Sequence, residues 1–340
     1  MKKIEFICAL PSKGKLGGET LKNKTILKYL KENNIKVRVT NFSKYKKFKF
    51  LVFFECLITL LNPFTNKILI SKASKSSYIY LKLARYLNIY KKKIYYMVIG
   101  GKFDQYLKNE NFKIKYYSKI EKIYVESYKM KDALIKLGLE QTEYLPNFKS
   151  FKLVNRTMKD EKYPLEAVFF SRILPEKGTE MIFKMLESIN EKEIMLKIFF
   201  YGPIEKNYEK IFFKKIKEIK EVKYEGILDS FEEETFDILK NYDFMIFPTF
   251  WDGEGFPGTI VDSLISSLPI VASDWNVNKE IINDKIGFLF EARNQSKFEK
   301  LIKFIINNKK ELIKKRGFCF EESKKYNVDN VLKRLKKELL

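Results

Sequence analysis

The chain has 340 residues, 66 of them Lys or Arg against 43 Asp or Glu, and a net charge of +23. That length points to about two domains, and 45% apolar with 32% charged residues is the composition of a globular chain with buried cores. Histidine is absent, which removes the commonest general base and the commonest metal ligand, and Cys8, Cys56 and Cys319 fit no metal-ligand spacing.

Apolar runs of strand length alternate with stretches of helical period. Residues 3–10 are expected as a strand; IEFICAL, closed by Pro11, does not read as a secretory leader. A glycine turn at 14–18 leads to a helix over 19–33 and a strand over 36–41. The run FLVFFECLITLLNPF, 50–64, is shorter than the ~20 residues of a membrane span and carries Glu55, so 50–61 reads as an apolar helix. A strand at 67–71, a helix at 77–87 and a strand at 93–99 follow, the last closed by Gly100 and Gly101. A strand at 122–126 and a helix at 129–137 complete the half.

From 144 to 165 the rhythm breaks in a segment with two prolines and a charged cluster, which reads as a linker. Strands then recur at 166–171, 195–201, 222–225, 244–247, 270–272 and 287–290, with helices between, and everything from 296 onward is helical in pattern. Alternating strands and helices predict an α/β protein of two Rossmann-like, doubly wound parallel-sheet domains facing across a cleft. The domains are expected at 1–150 and 151–325, with a helix at about 326–340 packing back on the first. In such sheets ligands sit beyond the carboxyl ends of the strands.

Four loops after strands in the second half carry the chemistry. SRILPEKG places Arg172 at a strand end and Lys177 at the start of the next helix, two cations able to clamp a diphosphate. Gly202 lies in a tight turn, YGP, where a nucleotide can approach the backbone. Gly226, Ile227 and Leu228, in EGIL, can lie against a base edge. The richest stretch is FPTFWDGEGFPGTIVD, where Glu254 and Asp262 flank a loop-to-helix junction with seven residues between them. Pro257 suits a first helical position, Gly258 and Thr259 offer backbone N–H groups at a positive helix end, and Ser263, Ser266 and Ser267 let the helix pack closely. Phosphate-binding N–H groups beside two acids suit a ligand with both phosphates and hydroxyls. Each loop alone is also what a solvated turn looks like.

Taken in order, LPN, SRILPEKG, YGP, YEGIL, FPTFWDGEGFP, IVASDW, KEII and GFLF resemble the retaining glycosyltransferases of family 4, which have the GT-B fold. The resemblance is strongest from Ala167 to Phe290. It implies that Arg172 and Lys177 bind the donor diphosphate and stabilise the leaving group. It implies that Glu254 accepts bonds from donor-sugar hydroxyls and that the backbone of Phe256, Pro257, Gly258 and Thr259 holds the sugar and distal phosphate. Asp262 then takes the ribose, Gly226 to Leu228 flank the base, Gly17 and Gly18 approach the donor from the first domain, and Gly101 lines the facing wall. Two positions depart from the family pattern: Asp262 stands where a longer Glu is usual, and no His is present for the first domain.

The activity implied is transfer of a hexose from a UDP- or GDP-sugar to a saccharide acceptor, lipid-linked, in bacterial surface polysaccharide synthesis. The leaving diphosphate helps deprotonate the acceptor, so catalysis rests on positioning and charge stabilisation, with no cofactor and no metal. Lys46, Lys47 and Lys49 with Tyr45 and Phe48, ahead of the apolar helix, suit an anionic membrane surface, which implies a cytoplasmic protein peripheral on the inner membrane. The competing reading is a solvated end on a buried crossover helix. Two other functions fit a Rossmann-like frame: a basic nucleic-acid-binding protein, or a GT-B relative acting as a sugar epimerase or inactive partner subunit. Against nucleic acid, the sequence contains no nucleic-acid module and its charge reads as spread along its length, much of it Lys from AT-rich codon usage.

Overall fold

The computed structural model describes residues 3–11, 18–41, 49–154 and 163–340, without the side chains of 49, 50, 52 and 74–76. The glycine turn at 14–17, with Gly17, and the basic segment 44–48 lie outside the described residues. Two compact units form, residues 1–150 with 328–340, and residues 151–327.

The first unit is a six-stranded sheet of β1 (Lys3–Cys8), β2 (Val37–Asn41), β3 (Thr65–Ala73), β4 (Lys93–Ile99), β5 (Lys122–Val125) and β6 (Thr142–Tyr144), ordered β2-β1-β3-β4-β5-β6. All its pairings are parallel. Its strands are continuous apolar runs because helices cover both faces. Side-chain alternation divides them: Ile4, Phe6 and Cys8 pack on one side with α1 (Gly18–Glu32) and α14 (Val328–Leu339), and Ile7 on the other. That other side carries α2 (Lys49–Leu61), α3 (Ser74–Leu87), α4 (Phe103–Asn109), α5 (Ile114–Tyr117) and α6 (Tyr128–Lys136). The α14 helix is seated by buried Leu332, Leu335 and Leu339 and by Tyr95 donating to the Glu338 carbonyl at 3.1 Å. Burial pushes the Cys8 and Cys56 thiols up to about 12, which keeps them protonated and inert.

The second unit repeats the plan with β7 (Leu165–Phe170), α7 (Thr179–Ile189), β8 (Leu196–Tyr201), α8 (Glu209–Glu218), β9 (Val222–Tyr224), α9 (Glu233–Leu239) and β10 (Phe244–Phe247). It continues with α10 (Gly258–Ile265), β11 (Ile270–Ser273), α11 (Asn278–Ile281), β12 (Gly287–Phe290), α12 (Gln295–Asn307) and α13 (Lys310–Ser323). The sheet order is β12-β11-β10-β7-β8-β9, parallel throughout. Strand order therefore reverses between β7 and β10, and the loops leaving those two strands flank the switch point where open α/β sheets bind ligands.

The helices α4 and α5 and strand β6 are not among the sequence expectations. They are short, and a three-residue strand or one-turn helix is too brief to set up a period. At the junction before α10 the expectations shift by a residue or two. Pro257 is the N-cap, with φ −69° and ψ 122°, and Gly258 is the first helical residue. The helix ends at Ile265, so Ser266 and Ser267 form the turn that stops it, Ser267 at φ +54°. The next strand begins at Ile270, as expected, and Ser263 exchanges hydrogen bonds with Leu268 at 2.8 Å that hold that residue in the turn before it. Lys177 ends a one-turn 3-10 helix, Pro175–Lys177, and lies before α7 rather than at its start.

Candidate functional site

Two loops at the switch point build the candidate site. The first leaves β7 as Ser171 to Gly178, and the second leaves β10 as Pro248 to Pro257. They are laced together by the Phe250 N–H donating to the Glu176 carbonyl at 2.8 Å. Gly178 has a φ of +84°, and a Cβ there would stand 2.3 Å from the Pro248 carbonyl oxygen. Only glycine lets the two loops approach this closely.

The approach brings Lys177 onto Glu254, 77 residues away in sequence. The Lys177 ammonium donates to the Glu254 carboxylate in a nearly buried ion pair. Burial lowers the Lys177 pKa from the usual lysine value; Glu254 opposes that shift and the neighbouring Arg172 adds to it. Lys177, Arg172 and Glu254 therefore share one electrostatic environment. The Arg172 guanidinium lies over the Trp251 ring, 5.3 Å from its centroid, and is exposed.

Several residues the sequence did not single out hold Glu254 in place. Thr249, fully buried, lies with its hydroxyl 3.3 Å from the Glu254 carboxylate and accepts the Trp251 N–H at 3.2 Å. Ser273 donates to the Thr249 carbonyl. Asn276 donates to the Glu254 carbonyl at 3.3 Å, and the Trp275 indole to the Trp251 carbonyl at 2.9 Å. Arg293 lies over both Phe250 and Trp275, 5.2 and 5.0 Å from their centroids. The FPT and DWN segments carry most of these residues, but a threonine after a strand has no signature that separates a second-layer support from a turn residue.

Around this centre the other expected residues fall as follows. Thr259, in the first turn of α10, donates to the Phe170 carbonyl at 2.9 Å, which ties the helix start to the end of β7. Phe256 turns its ring into the core against Tyr326, so its contribution to a ligand is through the backbone. Asp262, fifth in α10, is 3% exposed, so its carboxylate is enclosed rather than at the surface. Gly202 donates its N–H to the Gly226 carbonyl at 2.8 Å, joining the loops after β8 and β9, and a Cβ on it would meet the Ser171 carbonyl oxygen at 2.0 Å. Ile227 is exposed beside it and Leu228 packs partly on the core. The carboxyl ends of β7, β8, β9 and β10 thus supply Arg172, Lys177, Gly202, Gly226, Glu254 and the start of α10 along one edge of one sheet. Gly18 opens α1 and Gly101 follows β4, both in the first unit.

Residues 154–321 match the family model described as glycosyl transferases, group 1. The match spans the second unit, which thus carries a group 1 glycosyl transferase domain, and the two Rossmann-like units follow the GT-B plan. Its fold is similar to that of Anabaena Alr3699/HepE in complex with UDP-glucose, at 15% identity over 100% of this chain and 99% of that one, with a TM-score of 0.73. Sucrose-phosphate synthase from Thermosynechococcus elongatus aligns at 11% identity over 99% and 98% of the two chains, TM-score 0.79. The lipopolysaccharide outer core galactosyltransferase WaaB aligns at 16% over 98% of each, TM-score 0.69. A comparison with the curated proteins finds no match.

Proposed function

We propose that this protein is a retaining glycosyltransferase of the family 4 type, moving a hexose from a UDP- or GDP-linked sugar to a lipid-linked saccharide in bacterial surface polysaccharide synthesis. The observation that carries the reading is the meeting of Lys177, Arg172 and Glu254 at the switch point, beside the start of α10. A nucleotide-sugar has two features that this cluster complements, a diphosphate for the cations and sugar hydroxyls for the carboxylate. Structural neighbours solved with UDP or UDP-glucose support the donor class, and the galactosyltransferase neighbour supports the acceptor class.

In this reading the donor separates Lys177 from Glu254. The ammonium turns to the diphosphate, where it stabilises the charge that develops as the glycosidic bond to phosphate breaks. Arg172 leaves the Trp251 ring to add a planar, two-pronged contact to the same oxygens. Glu254, freed on one oxygen and still steered by Thr249, accepts hydroxyls of the sugar. The N–H groups at the start of α10 point at the distal phosphate, which the helix dipole favours. Asp262 takes the ribose, and the loop of Gly226, Ile227 and Leu228 flanks the base. The leaving phosphate oxygen takes the acceptor proton on the face from which it departs, which retains configuration and needs no side-chain base. Two fixed cations supply the charge that a divalent ion supplies elsewhere, so activity is expected without metal.

The test is a panel of UDP-, GDP- and other nucleotide-sugars, read by nucleotide released with and without EDTA. One donor hydrolysed slowly, and faster with a lipid-linked saccharide, is the expected result. Hydrolysis of none of them would overturn the reading.

A further inference from the structure

The outward face of α2 is apolar where a surface helix is normally polar. Cys56, Thr59 and Leu60 face the core, and Thr59 and Tyr80 of α3 share a hydrogen bond at 3.1 Å. Phe54, Ile58 and Leu61 lie on the opposite side and Phe53 lies at the N-terminal margin of the helix, all 44 to 55% exposed, and Phe64 just beyond the helix is 81% exposed. Buried Lys92 donates to the carbonyls of Thr59 and Asn62, both at 2.7 Å, and so clips exposed Ile89 and Tyr90 beside the end of α2. The adjoining face of α3 adds exposed Ile79 and Tyr86, with Lys82 and Arg85 between them. Scattered exposed apolar residues are ordinary, but a continuous face of this kind marks an interaction surface.

Charge identifies what covers it. Residues 33–103 hold fifteen Lys or Arg and a single acid, Glu55, which is 3.7 Å from Arg38. This stretch carries +14 of the chain's +23, so in sequence the charge is denser here than the even spread expected; of its cations Lys82, Arg85 and Lys91 are exposed on or beside this face, while Lys72 and Lys92 are buried. Two copies meeting through this face would bring like charges together, which disfavours a homodimer. Nucleic acid would satisfy the charge but leave Ile58, Leu61, Ile79 and Ile89 without a partner. An anionic bilayer satisfies both, with aromatic and aliphatic side chains in the headgroup region and lysines on lipid phosphates.

We propose that the outer face of α2 and α3, centred on Phe53, Phe54 and Phe64 and flanked by Lys82, Arg85 and Lys91, docks on a membrane surface of anionic lipid. It gives the lipid-linked acceptor of the proposed function a place, and rests on that reading only for that purpose. The experiment is flotation of the full chain with phosphatidylcholine vesicles, with or without phosphatidylglycerol, at low and high salt, beside calorimetry with UDP and GDP. The wild type is expected to float with the anionic vesicles alone. The triple variant Phe53→Ser, Phe54→Ser, Phe64→Ser is expected to lose about tenfold or more in partitioning. Lys82→Glu with Lys91→Glu should lose about fivefold per charge, an effect that disappears at high salt. Because these side chains are exposed, both variants should fold and bind nucleotide as the wild type does. Three results would overturn the proposal: no flotation at low salt by protein that binds nucleotide, flotation indifferent to the three Phe changes, or a phenylalanine-dependent dimer without vesicle binding. Flotation without any nucleotide binding would leave the docking face standing and remove the transferase reading instead.

Discussion

Each of the two sheets ends in a buried lysine–glutamate pair, and the two pairs differ in what surrounds them. At the carboxyl edge of the first sheet, Lys22 of α1 meets Glu126 after β5 at 2.5 Å, under the ring of Phe148. Beside it Asn23 donates to the carbonyls of Ala9 and Ser71, closing the ends of β1 and β3. At the edge of the second sheet, Lys177 meets Glu254 across two loops, with a second cation, Arg172, in the same field and a helix start alongside. The first pair joins elements that already pack. The second lies at the switch point, where the proposed function has the donor diphosphate compete for Lys177. On the proposed function, Lys22–Glu126 serves stability and Lys177–Glu254 serves the chemistry.

The widest separation is expected in turnover. Lys177→Ala and Arg172→Ala should each lower the rate of nucleotide release by about 10²–10³ or more, because each removes charge stabilisation from the transition state. Lys22→Ala should leave turnover per folded molecule near the wild-type value. Near-wild-type rates in both Lys177→Ala and Arg172→Ala would falsify the assignment.

Stability should show the reverse ranking. Glu126→Gln leaves the Lys22 ammonium buried without its counter-charge and should cost about 3 kcal/mol in urea unfolding, with nucleotide affinity unchanged in the folded protein. A loss of nucleotide affinity would move the first pair into the site. Asp262→Ala comes next, with about a tenfold rise in KM for the donor from one lost hydrogen bond to a charged group. An unchanged KM would remove the ribose contact from Asp262.

Glu254→Gln is a smaller and more discriminating test, in binding of the nucleoside diphosphate without its sugar. The wild-type diphosphate must displace Glu254 from Lys177, and the neutral amide competes less, so UDP or GDP should bind a few-fold tighter while turnover falls. Weaker binding would show that the pair does not compete with the phosphates.

The smallest effect is in pH dependence. In the proposed mechanism Lys177 acts as the ammonium, and burial lowers its pKa. The alkaline limb of kcat/KM should therefore lie below the usual lysine range, with activity lost as pH rises through the lowered value. A bound diphosphate favours the charged form, so the limb of kcat should lie higher. Folding runs the opposite way: the unfolded chain holds the Lys177 proton more tightly, so this group's contribution to stability rises with pH between its folded value and the usual one. Coincident limbs in the two profiles would break the link to Lys177.

Most of the fold was legible in the sequence because a parallel sheet with both faces covered writes its strands as short apolar runs between helical periods. The runs at 93–99, 244–247 and 287–290 coincide with β4, β10 and β12. Residues 103–117 and 142–144 escaped, since their elements are too short for periodicity. The site residues were legible as types in loops after strands. That Lys177 reaches Glu254, and that Thr249, Trp275 and Arg293 brace the loop, was not.

By itself the sequence determined the alternation of strand and helix, the two-unit plan, the chemistry available at each loop and the net positive charge, because propensity, period and composition are local. Only the tertiary structure decided which loops share an edge, that Arg172 lies over Trp251, that Lys177 and Glu254 are paired, and that an apolar side of α2 faces outward. Those are properties of strand order and packing, which bring together residues that lie far apart in the chain and hold glycine backbones closer than any side chain would allow.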